Sequence, residues 1–178
     1  MNTAFPGRWE RVTHEFGPLY DAGCAVLILG SIPSPKSREQ AFYYGHPQNR
    51  FWRVMAAVLH EPLPETVAEK KRMMLSHRIA LWDTLEECEI RGASDSSIRN
   101  PVPTDLMRVI RASRIRRIYT TGAAADRYYR SYHLAKTGIE AVRLPSTSPA
   151  NAACSLEKLI EAYRVIGAEA VLGRETDV

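Results

Sequence analysis

"AVLILGSIPSPKSREQAFYYGHPQNRFWRVMAAVL" (residues 25–59) changes its pattern twice, and those changes decide the fold. It opens with branched apolar side chains that show no alternation and stop at Gly30-Ser31. Such a run reads as a strand buried on both faces, the kind that parallel sheets use. From Ser31 to Gln48 the chain becomes a long loop with Pro33, Pro35, the Tyr43-Tyr44 pair and a Gly45-His46-Pro47 turn. At Asn49 a helix period begins: Phe51, Trp52, Met55, Val58 and Leu59 share one stripe, with Arg50 and Arg53 opposite. Asn49 stands where an N-cap would. A buried strand feeding a specialised loop and then an amphipathic helix is the opening unit of an α/β fold.

The rest of the chain repeats the alternation. "PETVAEKKRMMLSH" (64–77) predicts a helix with Pro64 in its first turn, and "RIALW" (78–82) a short strand. "ECEIRGASDSSIRNPVPTD" (87–105) reads as a long polar loop without strands. "TDLMRVIRAS" (104–113) predicts a helix opened by Thr104 or Asp105, "RIRRIYTTG" (114–122) a third strand, and "AAADRYYRSYHLAK" (123–136) a helix ended near Gly138. "IEAVRLP" (139–145) predicts a fourth strand, "STSPAN" (146–151) a loop, and "CSLEKLIEAYRVIG" (154–167) the last helix, before a loose tail "RETDV". The expected architecture is an α/β, three-layer α/β/α sandwich around a central, mostly parallel four-stranded sheet. It forms one domain over residues 1–178, with its core at about 20–167. In such sheets ligands bind outside the carboxyl ends of the strands. The loops Ser31–Gln48 and Ser146–Asn151 both follow predicted strands, so they meet at one edge and wall a site.

Composition narrows the class. Of 178 residues, 45% are apolar and 25% charged, the balance of a globular protein rather than a disordered one. No apolar run approaches the length of a membrane span, and the N-terminus lacks a basic region followed by an apolar one, so neither a membrane partner nor secretion is expected. Three cysteines, Cys24, Cys88 and Cys154, lie far apart without a C-x-x-C pair. They read as inert thiols in a reducing cytoplasm, not as a disulfide framework or a metal site. The net charge of +4 permits a polyanionic partner. "RASRIRR" (111–117) is its densest cluster, either a solvated helix end or a phosphate contact.

The first loop is suited to a flat heterocycle. Small residues at Gly30, Ser31 and Ser34 let backbone N–H groups approach a ligand, and Tyr43 and Tyr44 offer aromatic faces on which a base stacks. Asn49 carries donors and an acceptor that can orient water or read a base edge. Each residue alone also has an ordinary use: a cap at Asn49, packing at the tyrosines, a turn at His46.

Taken whole, "LILGSIPSPKSREQAFYYGHPQNRFWRVMA" resembles the first motif of the uracil-DNA glycosylase superfamily, closest to its hypoxanthine-DNA (deoxyinosine) glycosylase branch, family six. "LPSTSPANA" resembles the second motif in position and character, and "ALWDTLEECEIRGASDSSI" also looks like that branch. The resemblance covers roughly residues 25–166. It implies that Gly30, Ser31, Ile32, Pro33 and Ser34 form the turn that binds the base and positions water. It places Tyr44 where the mismatch-specific branch stacks an aromatic ring on the flipped base, and Asn49 on the asparagine implicated in catalysis. Ser146, a base-binding candidate, and the DNA-binding candidates Ser148, Pro149, Ala150 and Asn151 fall on the loop that fills the gap left by that base. Ser34 and Lys36 are further DNA-binding candidates, and Arg38, Arg50 and Arg143 candidate phosphate contacts.

Two departures bear on substrate. Other branches carry Asp or Asn where Ile32 stands, which moves the catalytic burden to Asn49, and they carry a second-motif histidine that is absent after His133. The resemblance implies a monofunctional glycosylase without metal or cofactor, and a monomer is the default expectation. It would act on double-stranded DNA containing deaminated bases, flipping deoxyinosine and hydrolysing its N-glycosidic bond to leave an abasic site. The alternatives are uracil or xanthine excision, a non-catalytic nucleic-acid-binding α/β module, and a hydrolase of free nucleosides. The turn after the first strand lacks the glycine patterns of dinucleotide and nucleoside triphosphate sites.

Overall fold

The computed structural model describes residues 7–175. Its elements run β1 (Trp9–Thr13), β2 (Val26–Gly30), α1 (Pro35–Gln40), α2 (Phe51–Leu59), α3 (Val67–Ser76), β3 (Ile79–Asp83), β4 (Leu85–Arg91), β5 (Arg99–Pro103), α4 (Met107–Arg111), β6 (Arg117–Thr121), α5 (Ala123–Tyr132), α6 (Leu134–Thr137), β7 (Ala141–Leu144) and α7 (Leu156–Glu175).

Four strands form the expected parallel sheet, in the order β3-β2-β6-β7. β2 lies in its interior and β3 at its edge, and every one of their residues is buried, as their unbroken apolar runs require. The helices flank the sheet. The chain steps from β2 to β3 in one direction and from β6 to β7 in the other. Right-handed crossovers therefore put the helices of the two units on opposite faces. The strand order reverses between β2 and β6, which opens a crevice at their carboxyl ends. α2 and α7 pack closely because position 167 is glycine: a β-carbon there would stand 2.9 Å from the Val58 carbonyl oxygen. Cys24 and Cys88 are buried, and burial pushes both thiols up to about 11, which keeps them protonated.

The structure departs from the sequence reading in several places. The stretch 87–105 is not a strand-free loop: β4 and β5 pair antiparallel there and β1 joins them, giving a second sheet in the order β1-β4-β5. Register shifts between Leu85, Glu87 and Glu89 break the alternation that would mark β4, and β5 is an edge strand that tolerates Pro101 and Pro103. α1 lies inside what reads as loop. Its sequence, PKSREQ, has no apolar stripe, and the helix forms through its cap: the Ser34 hydroxyl accepts the Ser37 N–H (3.2 Å), with Pro35 in the first turn. α3 begins at Val67, capped by Thr66 in a reciprocal pair with Glu69, so Pro64 precedes the helix. α7 runs to Glu175, beyond Gly167 and into the stretch expected to be a loose tail, whose last residues lie outside those described. Among the described residues no helix is long and apolar enough to cross a membrane.

Candidate active site

A cavity of about 130 Å³ opens at the crevice between β2 and β6. The sheet register delivers its floor: Gly30 pairs with Asp83, and Thr121 with Leu144, so the last residues of all four strands stand in one row. Gly30, Ser31, Ile32, Pro33 and Ser34 line one wall. Ile32 also anchors that turn, packing its side chain with Val12, Leu85, Cys88, Ile90 and Tyr128 under the small sheet. Neither the Ser31 nor the Ile32 N–H has an acceptor among the described residues. The Ser31 hydroxyl donates to Asp95 Oδ1 (2.9 Å).

Tyr44 and Asn49 form the facing wall. The Tyr44 ring stacks on Phe51 with centroids 3.8 Å apart and planes 14° from parallel. It is held there by a left-handed backbone (φ +53°), a conformation non-glycine residues rarely adopt, and its hydroxyl lies 3.3 Å from the Thr121 hydroxyl. Burial, and then the Asp83 carboxylate, hold the Tyr43 and Tyr44 hydroxyls well above the usual tyrosine range, so both stay protonated.

Asn49 sits one residue before the position expected of it. By backbone the cap of α2 is Arg50, yet it is the Asn49 side chain that satisfies the helix: Oδ1 accepts the Phe51 N–H (2.9 Å). The same oxygen accepts the Thr147 hydroxyl (2.8 Å). A backbone N–H can only donate, so the atom facing Phe51 must be the oxygen, and the amide Nδ2 is left for the cavity that Asn49 lines.

The loop after β7 closes the site. Ser146, Thr147 and Ser148 line the cavity, and a shallower depression continues from it past Ala150, Asn151, Arg143 and Lys158. Arg50 does not face outward as a phosphate contact would. Its guanidinium donates to the carbonyls of Ser148 (3.1 Å), Asn151 (3.0 Å) and Cys154, and its own N–H to Thr147 O (3.1 Å). An arginine fork satisfies three carbonyls of a segment that has no sheet partner, and this is what shapes the loop. Lys36 pairs with Glu39 (2.9 Å), Arg38 with Glu10 (3.1 Å), and neither Lys36 nor Pro149 lines the cavity or the depression. Arg117 of the "RASRIRR" cluster opens β6, so the cluster leads into the end of the sheet away from the site.

Residues that sequence reasoning missed complete the floor. Asp83 is buried, and its Oδ2 lies 2.7 Å from His14 Nε2, just past β1. A strand ending in a charged residue, "IALWD", is the signal that marks Asp83. Nothing in "VTHEF" marks His14, which the second sheet brings over. Gly30 is required beside this carboxylate, because a β-carbon on it would stand 2.5 Å from Asp83 Oδ1. Gly30→Ala is therefore expected to destabilise the protein by about 2 kcal/mol, since His14 keeps the carboxylate from yielding. A thermal melt lowered by roughly 4–8 °C would show it.

A cleft walled by a stacked tyrosine, lined by amide, hydroxyl and carboxylate groups and continued by a shallow depression with two cations, is a site for a flat polar ring carried on a larger anion. The family model of the uracil DNA glycosylase superfamily matches residues 18–166, and the chain belongs to that superfamily. It is 36% identical over 142 residues to a hypoxanthine DNA glycosylase of Methanosarcina acetivorans, a match covering 79% of this chain and 89% of that one. It is 34% identical over 86 residues to a hypoxanthine DNA glycosylase of Methanosarcina barkeri, covering 48% and 54% of the two chains. A solution NMR structure of a candidate uracil DNA glycosylase from Methanosarcina acetivorans superimposes with a TM-score of 0.72 at 29% identity, over 85% of this chain and 96% of that one.

Proposed function

We propose that this chain is a hypoxanthine-DNA glycosylase that extrudes deoxyinosine from duplex DNA and hydrolyses its N-glycosidic bond. The observation that carries the reading is the fixed amide of Asn49, whose Nδ2 is committed to the cavity by two donors on its oxygen. When the bond from C1′ to N9 breaks, its electron pair stays on the purine and positive charge gathers on the sugar. Groups that donate hydrogen bonds to the base are then stronger in the transition state than before it. Asn49 Nδ2 and the N–H groups of Ser31 and Ile32 supply such donors. Tyr44, backed by Phe51, offers a face for the extruded ring. Water adds to C1′ and releases its proton, leaving an abasic site. Extrusion costs a few kcal/mol, least at a mispair, and the loop 146–151 fills the vacated space. The protein works as a monomer in the reducing cytoplasm, on double-stranded DNA, and its chemistry calls for no cofactor.

The reading is tested by single-turnover cleavage in EDTA of end-labelled duplexes carrying one deoxyinosine or one deoxyuridine, with alkali opening abasic sites. Preferential cleavage at inosine is expected. Cleavage mainly at uracil would move the chain to another specificity of the superfamily, and no cleavage with duplex binding intact would make it a binding module. Salt provides an independent check. With about three phosphate contacts, raising salt fourfold should weaken duplex binding roughly 40-fold, whereas a hydrolase of free nucleosides would be indifferent.

A further inference from the structure

The cavity and the shallower depression meet at a mouth, and one carboxylate stands in it. Ala93 and Asp95, on the loop between β4 and β5, line both, as do Ser146 and Ser148 on the loop after β7. A base seated in the cavity leaves its phosphates over the depression, beside Arg143 and Lys158. The sugar that joins them, with its C1′, then lies at the mouth. Of the side chains shared by the two hollows only Asp95 carries a charge. Both serine oxygens there already accept a backbone N–H, Ser146 from Ser148 and Ser148 from Ala150, at 3.2 Å each. Asp95 is fixed at one oxygen and open at the other. It begins a short 3-10 turn, Asp95–Ser97, where the Ser97 hydroxyl accepts the Arg91 N–H (2.9 Å) and donates to Ser94 O (2.7 Å). Oδ1 accepts the Ser31 hydroxyl (2.9 Å). Oδ2 has no hydrogen-bond partner among the described residues, and the residue is exposed, so water reaches it.

A carboxylate beside a polyanion opposes binding, so affinity for DNA does not account for it. Hydrolysis does, because the attacking water must be oriented and must lose a proton. The other acceptors are occupied or misplaced. Asn49 Oδ1 is taken by the Phe51 N–H and the Thr147 hydroxyl, and Asp83 is bound to His14 on the cavity floor, away from the mouth. We propose that Asp95 is a catalytic residue that orients the attacking water and accepts its proton; this rests on the glycosylase reading given above. A lone pair of the water oxygen forms the bond to C1′, and the electron pair of the broken C1′–N9 bond leaves on the purine. One water proton passes to Asp95 Oδ2 and on to solvent, and the purine anion takes a proton from solvent. The negative carboxylate also favours the positive charge gathering on the sugar. Desolvation by the surrounding protein raises the Asp95 carboxyl above its ordinary range; the Ser31 hydroxyl lowers it in part, the Asp83 carboxylate raises it and Arg127 of α5 lowers it. A proton acceptor so shifted lies closer to neutral pH than a free aspartate does.

The test compares single-turnover excision of deoxyinosine at saturating enzyme by wild type and Asp95→Asn, as a function of pH, with duplex binding measured on the same preparations. Asparagine keeps the oxygen that accepts from Ser31 and removes the charge. The variant is expected to be roughly 100-fold slower, the low end of what a positioned proton acceptor contributes, while binding the duplex no more weakly. The wild-type rate should fall by up to about tenfold per pH unit as pH drops through the carboxyl's titration, because only the carboxylate takes the proton, and this limb should be missing in Asp95→Asn. The shape of a profile does not depend on the folded fraction, so a partly folded variant still reports. A variant rate within about threefold of wild type would overturn the proposal, since a general base contributes far more. So would a loss that saturating enzyme restores, which marks a contact to the DNA backbone, or a slow variant whose pH profile keeps the wild-type shape, which leaves Asp95 supporting the Ser31 turn. If wild type cleaves uracil and not inosine, the hypoxanthine reading fails alone, and the same comparison on deoxyuridine tests Asp95. If wild type cleaves neither, the glycosylase reading fails and the role of Asp95 falls with it.

Discussion

Replacing Asn49 by Asp is expected to abolish inosine excision as thoroughly as replacing it by Ala, while leaving the protein at least as stable as wild type. The two expectations come from the two ends of one side chain. Oδ1 accepts from the Phe51 N–H and from the Thr147 hydroxyl, and Asp keeps that oxygen. A carboxylate at the start of α2 also meets the positive end of the helix dipole, worth about 0.3–1 kcal/mol. What Asp removes is Nδ2, the donor turned to the cavity. Loss of one donor aimed at developing negative charge lowers the rate by about 100- to 1,000-fold, and a carboxylate oxygen in its place adds repulsion. Single-turnover rates for wild type, Asn49→Ala and Asn49→Asp, with melting curves on the same preparations, make the comparison. Activity kept in the Asp variant would mean that position 49 accepts a hydrogen from the attacking water, and would reverse the role given to its amide. Thr147→Val is the companion variant. It frees the amide to turn without touching its atoms, so its loss should be smaller than that of Asn49→Ala.

The parallel sheet was legible because burial on both faces writes an unbroken apolar run, and β2 and β3 carry such runs. The second sheet was not, because its strands hide their period: β4 by register shifts, β5 by two prolines, β1 by burying only Val12. The site divides the same way. Gly30, Tyr44, Asn49 and Ser146 lie near elements whose ends the sequence marks, and all line the cavity. His14 reaches the site through the pairing of β1 with β4, a long-range contact that nothing local encodes. Arg50 was assigned to phosphate by its charge, yet a charge alone does not tell whether the group meets solvent or three carbonyls of a loop almost a hundred residues away.

That reassignment of Arg50 carries a large consequence for the loop. Arg50→Met keeps much of the side chain's length and removes the fork, so the carbonyls of Ser148, Asn151 and Cys154 lose their common donor. Hydrogen bonds from a charged group contribute about 1.5–3 kcal/mol each, but the loop is partly exposed and water replaces some of them, so a net loss of about 3 kcal/mol is expected. For a chain of this size that lowers the melting temperature by roughly 6–12 °C. Excision should fall with it, by about 100-fold, because Thr147 and Ser148 then no longer hold the wall against which Asn49 is set. Lysine should restore little of either, since a single ammonium cannot reproduce the geometry of a planar fork. A phosphate contact predicts the opposite set of results: an unchanged melt, binding weakened evenly across sequences, and a salt dependence reduced by about one unit of slope. Melting curves and salt titrations on Arg50→Met and Arg50→Lys separate the two. A variant that melts as wild type does while its salt slope drops would return Arg50 to the DNA backbone and leave the loop to be held by its own turns, which Ser146 and Ser148 cap at 3.2 Å each.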